Sequence, residues 1–218
     1  MKLFRRASEP EPSSATTPTT TRLHIGCGQE AIPGWINIDN REVPGVDRVL
    51  DVRQGLPFQN ASAIYAEHFL EHLALEDGLA FLRECRRTLA PEGILRLSTP
   101  NLDWVYATHY RTGAASSDET KISDCFQLNR AFHGWGHQFL YNRETLESVL
   151  HAAGFRSVSF YRYGESAAAQ LSGLERHQTW EDTPELPHVI IAEASGSDGP
   201  RPLPAKVLQE FLEAIHAK

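Results

Sequence analysis

A chain of 218 residues, 41% hydrophobic and 22% charged, can close one hydrophobic core, which excludes a fibrous protein and a chain unfolded throughout. Its formal charge of -7, with no long Lys/Arg run after Lys2, Arg5 and Arg6, offers no stripe to track phosphates, so nucleic acid is not an expected partner. No 18 apolar residues run together, and Cys27, Cys85 and Cys125 lack CxxC spacing; these features predict no membrane span, no export signal and reduced thiols in the cytoplasm.

Residues 1–21 are rich in Pro, Ser, Thr and Glu and nearly devoid of apolar side chains, the composition of a disordered tail. Thr21 to Ile25 then reads as a strand running into Gly26-Cys27-Gly28. Further extended runs follow at Trp35–Asp39, Arg48–Val52 and Ala63–Ala66, the last leading into Glu67-His68. Short strands with glycine or acidic residues at their C-terminal ends predict a parallel sheet with a binding edge.

Leu75, Leu79, Leu82 and Leu89 share one helical face, so residues 75–89 are expected to form an amphipathic helix stopped by Pro91-Glu92-Gly93. Ile94 to Ser98 reads as a fifth strand. Residues 101–141 are long, aromatic and histidine-rich for a connection in a compact domain, as a functional lid would be. Asn142 has the character of an N-cap for a helix ending at Gly154. Val158–Tyr161 and His188–Ala192 supply two last strands, whereas residues 164–187 show no assignable element. The core domain is expected over 22–195, and within 200–218 Val207, Leu208, Phe211, Leu212 and Ile215 have the period of an amphipathic helix packed on the body.

A Gly-x-Gly turn after a strand lets backbone approach a ligand closely. Gly26 to Ala31 also fits the G-x-G-x-x-A dinucleotide pattern, which keeps an NAD-binding oxidoreductase open as an alternative. Against it, a dinucleotide site places its ribose-binding acid about 20 residues beyond the glycines, with a helix between. Asp39 stands only 11 residues after Gly28, and Pro33-Gly34 fills the interval.

Leu23-His24-Ile25-Gly26-Cys27-Gly28, then Pro33 through Asp39, Asp51 before Leu56-Pro57-Phe58, and Glu67-His68-Phe69-Leu70-Glu71-His72-Leu73 together resemble the class I S-adenosylmethionine-dependent methyltransferases, most of all their type 11 branch. The similarity continues through Arg86 to Gly93 and Leu95 to Asn101, strong over 22–101 and loose over 139–192. It implies a Rossmann-like α/β fold: a mostly parallel seven-stranded sheet with an antiparallel last strand and helices on both faces. It implies S-adenosylmethionine as cofactor. Gly26, Cys27 and Gly28 would then meet its methionine part, Asp39 the ribose hydroxyls, Asp51 with Val52 the adenine amine, and Glu67 and His68 the methyl-bearing sulfonium. Gln29 and Glu30 stand where the family commonly has a third glycine. The first two connections are also shorter than parallel crossovers usually require, so helices there should shrink to single turns or vanish.

Few catalytic side chains are needed, because the sulfonium is an activated donor. A neutral imidazole can take the proton of a hydroxyl acceptor, which makes His68, His133 and His137 candidates for general base. His133, His137 and Tyr141 follow at four-residue steps and would share a face if helical. Trp104, Tyr106 and Tyr141 are candidates for walling an acceptor pocket. His68 and His72 are also four apart, but spacing indicates no third ligand, so no metal is expected. The expected reaction moves a methyl group to an oxygen or nitrogen of a small-molecule or sugar-like acceptor. The alternative from another class is a non-catalytic module that binds S-adenosylmethionine.

Overall fold

The computed structural model describes residues 21–110, 116–176 and 185–217. The expected tail therefore lies, but for Thr21, outside the described residues. Seven strands form one sheet in the order β3-β2-β1-β4-β5-β7-β6: β1 (Arg22–Ile25), β2 (Ile36–Asp39), β3 (Arg48–Val49), β4 (Ala61–Glu67), β5 (Leu89–Pro100), β6 (Phe155–Tyr161) and β7 (Val189–Ser197). Strands β1 to β5 pair in parallel, while β7 runs antiparallel to both of its neighbours, β5 and β6. The expected parallel sheet with an antiparallel last strand is thus what the chain forms.

Alternation along the strands divides the apolar residues between the two faces. On one face Leu23, Ile25, Ile64 and Leu95 lie in the large core cluster, which is completed by α1 (Leu75–Thr88) and α4 (Arg143–Ala152). Leu208 and Phe211 of α5 (Ala205–His216) pack against the same cluster, as their period predicts. On the other face Ala63 and Tyr65 of β4 meet Trp35 and Leu171. Its cover includes a 3-10 turn, Ala169–Leu171, drawn from the stretch that carried no sequence signal. The first two connections contain turns and bends but no helix, consistent with their lengths.

Local signals explain most boundaries. Asn142 accepts a hydrogen bond from the Thr145 amide at the start of α4, and Gly154, with φ of 97°, ends it in the left-handed region. The third strand is shorter than its apolar run. Asp51 turns the chain by capping a 3-10 turn, Val52–Gln54, and so ends the pairing early. Residues 101–141 fold as two helices, α2 (Leu102–His109) and α3 (Asp118–His133), followed by the 3-10 turn Gly134–Gly136. Asn101 caps α2 and Ser117 caps α3. Val105, Ala131 and Leu140 give this pair a small core of its own at the C-terminal edge of the sheet.

Candidate functional site

The first turn is built by glycine backbone and one carboxylate. Gly26 and Gly28 have φ of 67° and 54°, values that a side chain makes costly. A Cβ on Gly26 would lie 2.4 Å from the Phe69 ring, whereas one on Gly28 would meet no atom within 4 Å. Gly26 is therefore required by packing, and Gly28 faces open space. The Cys27 amide donates to Ile38, and the Gly28 amide donates to Asp39 Oδ2 at 2.9 Å, which ties the turn to the end of β2. Asp39 Oδ1 accepts from the amide and Nε of Arg41. Burial pushes the Asp39 carboxyl up, but the Gly28 amide and Arg41 outweigh it and hold the pKa below the usual value, so the group is an anion. The buried Cys27 thiol is pushed up by burial and by that neighbouring charge, and so stays neutral.

Asp51 caps the turn after β3 and pairs with Arg53, with Nη2 to Oδ2 at 2.7 Å, while the Val52 side chain enters the core. Both lie along the C-terminal edge of the sheet but, like Asp39, not among the residues that line the cavity described below.

At the end of β4, Glu67 is buried and receives both the amide and Nε of Arg176, at 2.7 and 3.0 Å. The same guanidinium donates to the Glu30 carbonyl and approaches His24 Nε2 at 3.5 Å. Arg176 thus clamps the β4 end to the glycine turn. It was invisible in the sequence because it sits in the stretch without periodicity. Its neighbour Glu175 is buried and pairs with Arg96 at 2.6 Å, which also pairs with Glu193 at 2.7 Å. That buried triad anchors the segment that delivers Arg176.

His24 stacks on Tyr65, and its Nδ1 lies 3.1 Å from Asn37 Oδ1. Burial, offset in part by Asn37 and reinforced by Arg176, pushes its pKa down to about 4. The ring is neutral, with Nδ1–H donating to Asn37 and Nε2 turned to the guanidinium.

His68 follows with φ of 47°, one of three non-glycine residues with positive φ among the described residues; Trp135, at 56°, is another. His68 Nδ1 lies 3.1 Å from Oε1 of the fully buried Glu71, whose Oε2 accepts from Thr99 Oγ1. Backbone bonds from Gln138 and Phe139 to the Glu71 carbonyl bring the segment after α3 against this turn.

Between the glycine turn, the β4 end and the two capping helices lies a cavity of about 870 Å³. Gly26, Cys27, Gly28, Glu67 and His68 line it, and so do Trp104 and His137. The structure does not bring every candidate there. His133 is exposed as the last residue of α3, and the helix stops before His137, so His133, His137 and Tyr141 share no helical face. Tyr106 points away at 61% exposure. Tyr141 is fully buried, packed on Phe139 and bridged to Asn101, and is a core residue rather than a wall of the pocket. Both tyrosines sit one step from cavity-facing neighbours, a distinction that only the helix phase and the bridge decide. Trp135 of the lid and residues the sequence did not single out, among them Val105, Arg130 and Leu140, also line it.

A profile for the methyltransferase domain matches residues 2–159 of the chain. No curated protein matches it. Among solved structures, the S-adenosylmethionine-dependent methyltransferase SibL in its apo form aligns with a TM-score of 0.50 at 14% identity, over 82% of this chain and 51% of SibL. A SAM-dependent methyltransferase from Archaeoglobus fulgidus aligns at 0.48 and 18% identity, over 81% of this chain and 86% of that one. LepI, solved in complex with SAM, aligns at 0.45 and 11% identity, and this chain spans only 45% of its length. At such identities the SibL likeness speaks for the fold alone.

Proposed function

The chain belongs to the methyltransferase-domain family, and from that we propose that it transfers the methyl group of S-adenosylmethionine to an oxygen or nitrogen of a small-molecule or sugar-like acceptor. One observation carries the reading: the glycine turn, the Asp39 anion and the end of β4 meet at the C-terminal edge of a parallel sheet, and the turn opens on a cavity closed on its far side by α2, α3 and the loop after them.

The residues present fit the cofactor. Gly28 leaves room where a side chain would stand, and its amide is already oriented by Asp39. The Asp39 carboxylate uses three of its roughly four acceptor positions on Gly28 and Arg41, which leaves one for a ribose hydroxyl. When bound, S-adenosylmethionine supplies an activated methyl group on a cationic sulfur. The chain has to align the acceptor and exclude water, and alignment alone can contribute roughly 7 to 11 kcal/mol of barrier reduction. Trp104, Val105, Trp135 and Leu140 give the cavity the apolar wall this needs. His68, oriented by the buried Glu71, supports a proton acceptor beside the turn.

Calorimetric titration of the purified protein with S-adenosylmethionine and S-adenosylhomocysteine, with NAD as control, tests the cofactor. Micromolar binding of the first two is expected, and a folded protein that binds neither refutes the reading. Transfer of a labelled methyl group across a panel of small alcohols, phenols, amines and sugars then tests the acceptor. Binding without turnover on any of them would favour a non-catalytic module.

A further inference from the structure

The spacing of His68 and His72 offered no third metal ligand, but tertiary structure supplies a different set. Glu71 and His72 sit in the 3-10 turn after β4, and His137 follows the turn after α3. One ligand atom from each lies within 4.8 Å of the others, and all three residues line the cavity. We propose that Glu71, His72 and His137 form a centre for a divalent first-row transition ion, open towards the cavity, where the ion binds a hydroxyl oxygen of the acceptor. Its use in catalysis rests on the methyl-transfer reading; its existence does not.

Metal–ligand bonds of about 2.0 to 2.2 Å put ligand atoms roughly 3 to 3.5 Å apart, so modest rotations of the half-buried His72 and His137 rings close the site. The surroundings already orient the ligands. His68 Nδ1 and Thr99 Oγ1 hold the Glu71 carboxylate, each at 3.1 Å. His137 Nδ1 lies 2.8 Å from the Ala131 carbonyl, so Nδ1 carries the proton and Nε2 keeps its lone pair, as metal-bound histidines usually arrange it. The His72 and His137 rings meet edge to face at 5.2 Å. Gln138 binds the loop to the turn through Nε2 to the His72 carbonyl and its amide to the Glu71 carbonyl. Trp135, held at positive φ, precedes His137 by two residues, an unfavourable conformation kept where the ligand has to be placed.

Two imidazoles and one carboxylate suit zinc(II) or iron(II) rather than magnesium or calcium, which prefer all-oxygen shells. Three protein ligands leave open positions for substrate, the pattern of catalytic rather than structural sites. A hydroxyl bound there has its pKa lowered. Its proton is released to solvent as the hydroxyl binds, before the filled site excludes water; the oxygen pair then bonds the methyl carbon, and the carbon–sulfur bond breaks with its pair remaining on sulfur. A neutral amine gains nothing from such a centre, so the metal selects an oxygen acceptor.

The test uses the full chain, stripped with chelator and titrated with Co2+ under visible spectroscopy, then with Zn2+ in competition. Expected are one saturable equivalent with ligand-field bands, and affinity weakened at least about tenfold in each of H72A, H137A and E71Q. Since Glu71 is fully buried, H72A and H137A carry the test should E71Q fail to fold. No saturable binding, or binding that survives H72A and H137A in folded protein, overturns the proposal. Titration of the same preparation with S-adenosylmethionine separates the two readings. Cofactor binding without cobalt binding overturns the metal centre alone; cobalt binding without cofactor binding supports the centre and overturns methyl transfer.

Discussion

The buried His24 should make the fold sensitive to mild acid in a way that one substitution removes. Its ring is fully buried, donates to Asn37 and faces Arg176, so a second ring proton would be unsolvated and would sit beside a cation. Its pKa is pushed down to about 4 from an ordinary 6.5. The unfolded chain therefore binds this proton before the folded one does, and stability is fully present above about 6.5 and falls as pH drops towards 4. At 1.36 kcal/mol per unit the whole window is worth about 3 kcal/mol, of which about 2 kcal/mol is lost between about pH 7 and about pH 5. Urea unfolding followed by circular dichroism at those two pH values measures it. His24→Gln keeps a polar side chain without a titrating ring, and its loss over the same interval should be smaller by about 2 kcal/mol. Other histidines act in both proteins and cancel. An unchanged pH difference in the variant would refute the argument that His24 is held neutral.

The glycine turn and its anchors give sharper contrasts. Asp39→Ala should weaken S-adenosylmethionine binding roughly tenfold or more by calorimetry, through loss of a charged acceptor that also orients Gly28. Gly28→Ala, whose Cβ meets no atom within 4 Å, should cost only about 1 kcal/mol in urea unfolding for its positive φ, yet impair cofactor binding by filling the cradle. Gly26→Ala adds the clash with Phe69 and should cost about 2 to 4 kcal/mol in the same assay. Arg96→Leu strands the Glu175 and Glu193 carboxylates in the interior and should lose about 3 to 5 kcal/mol, measured by thermal denaturation near neutral pH.

The elements readable in the sequence were those whose signal is local. The alternation at Leu23 and Ile25, the leucine period of α1, the Asn142 cap and Gly154 each act within a few residues, so pattern and structure agree. The Gly26-Cys27-Gly28 turn after β1 was legible as a turn because its left-handed backbone favours glycine, and the structure ties it to Asp39 at the end of β2. Asp51, expected at an adenine amine, caps the turn after β3 and pairs with Arg53. Tyr141 was misplaced because an aromatic residue carries the same apolar signal in a core as in a pocket, and its place in the large core cluster, packed on Phe139, is a tertiary fact. His133 was misplaced because the helical step was continued past Gly134, where the helix ends.

By itself, then, the sequence determined the α/β sheet, its glycine-bearing edge and the family, since these rest on short-range periodicity and on motifs whose spacing the backbone fixes. Tertiary structure alone decided which side chains meet across that edge. Arg176 reaches Glu67 across 109 positions, and Glu71 and His72 meet His137 where Gln138 and Phe139 donate to the Glu71 carbonyl. Such pairings follow from the closing of long loops onto the sheet, and no pattern of neighbours along the chain encodes where those loops land.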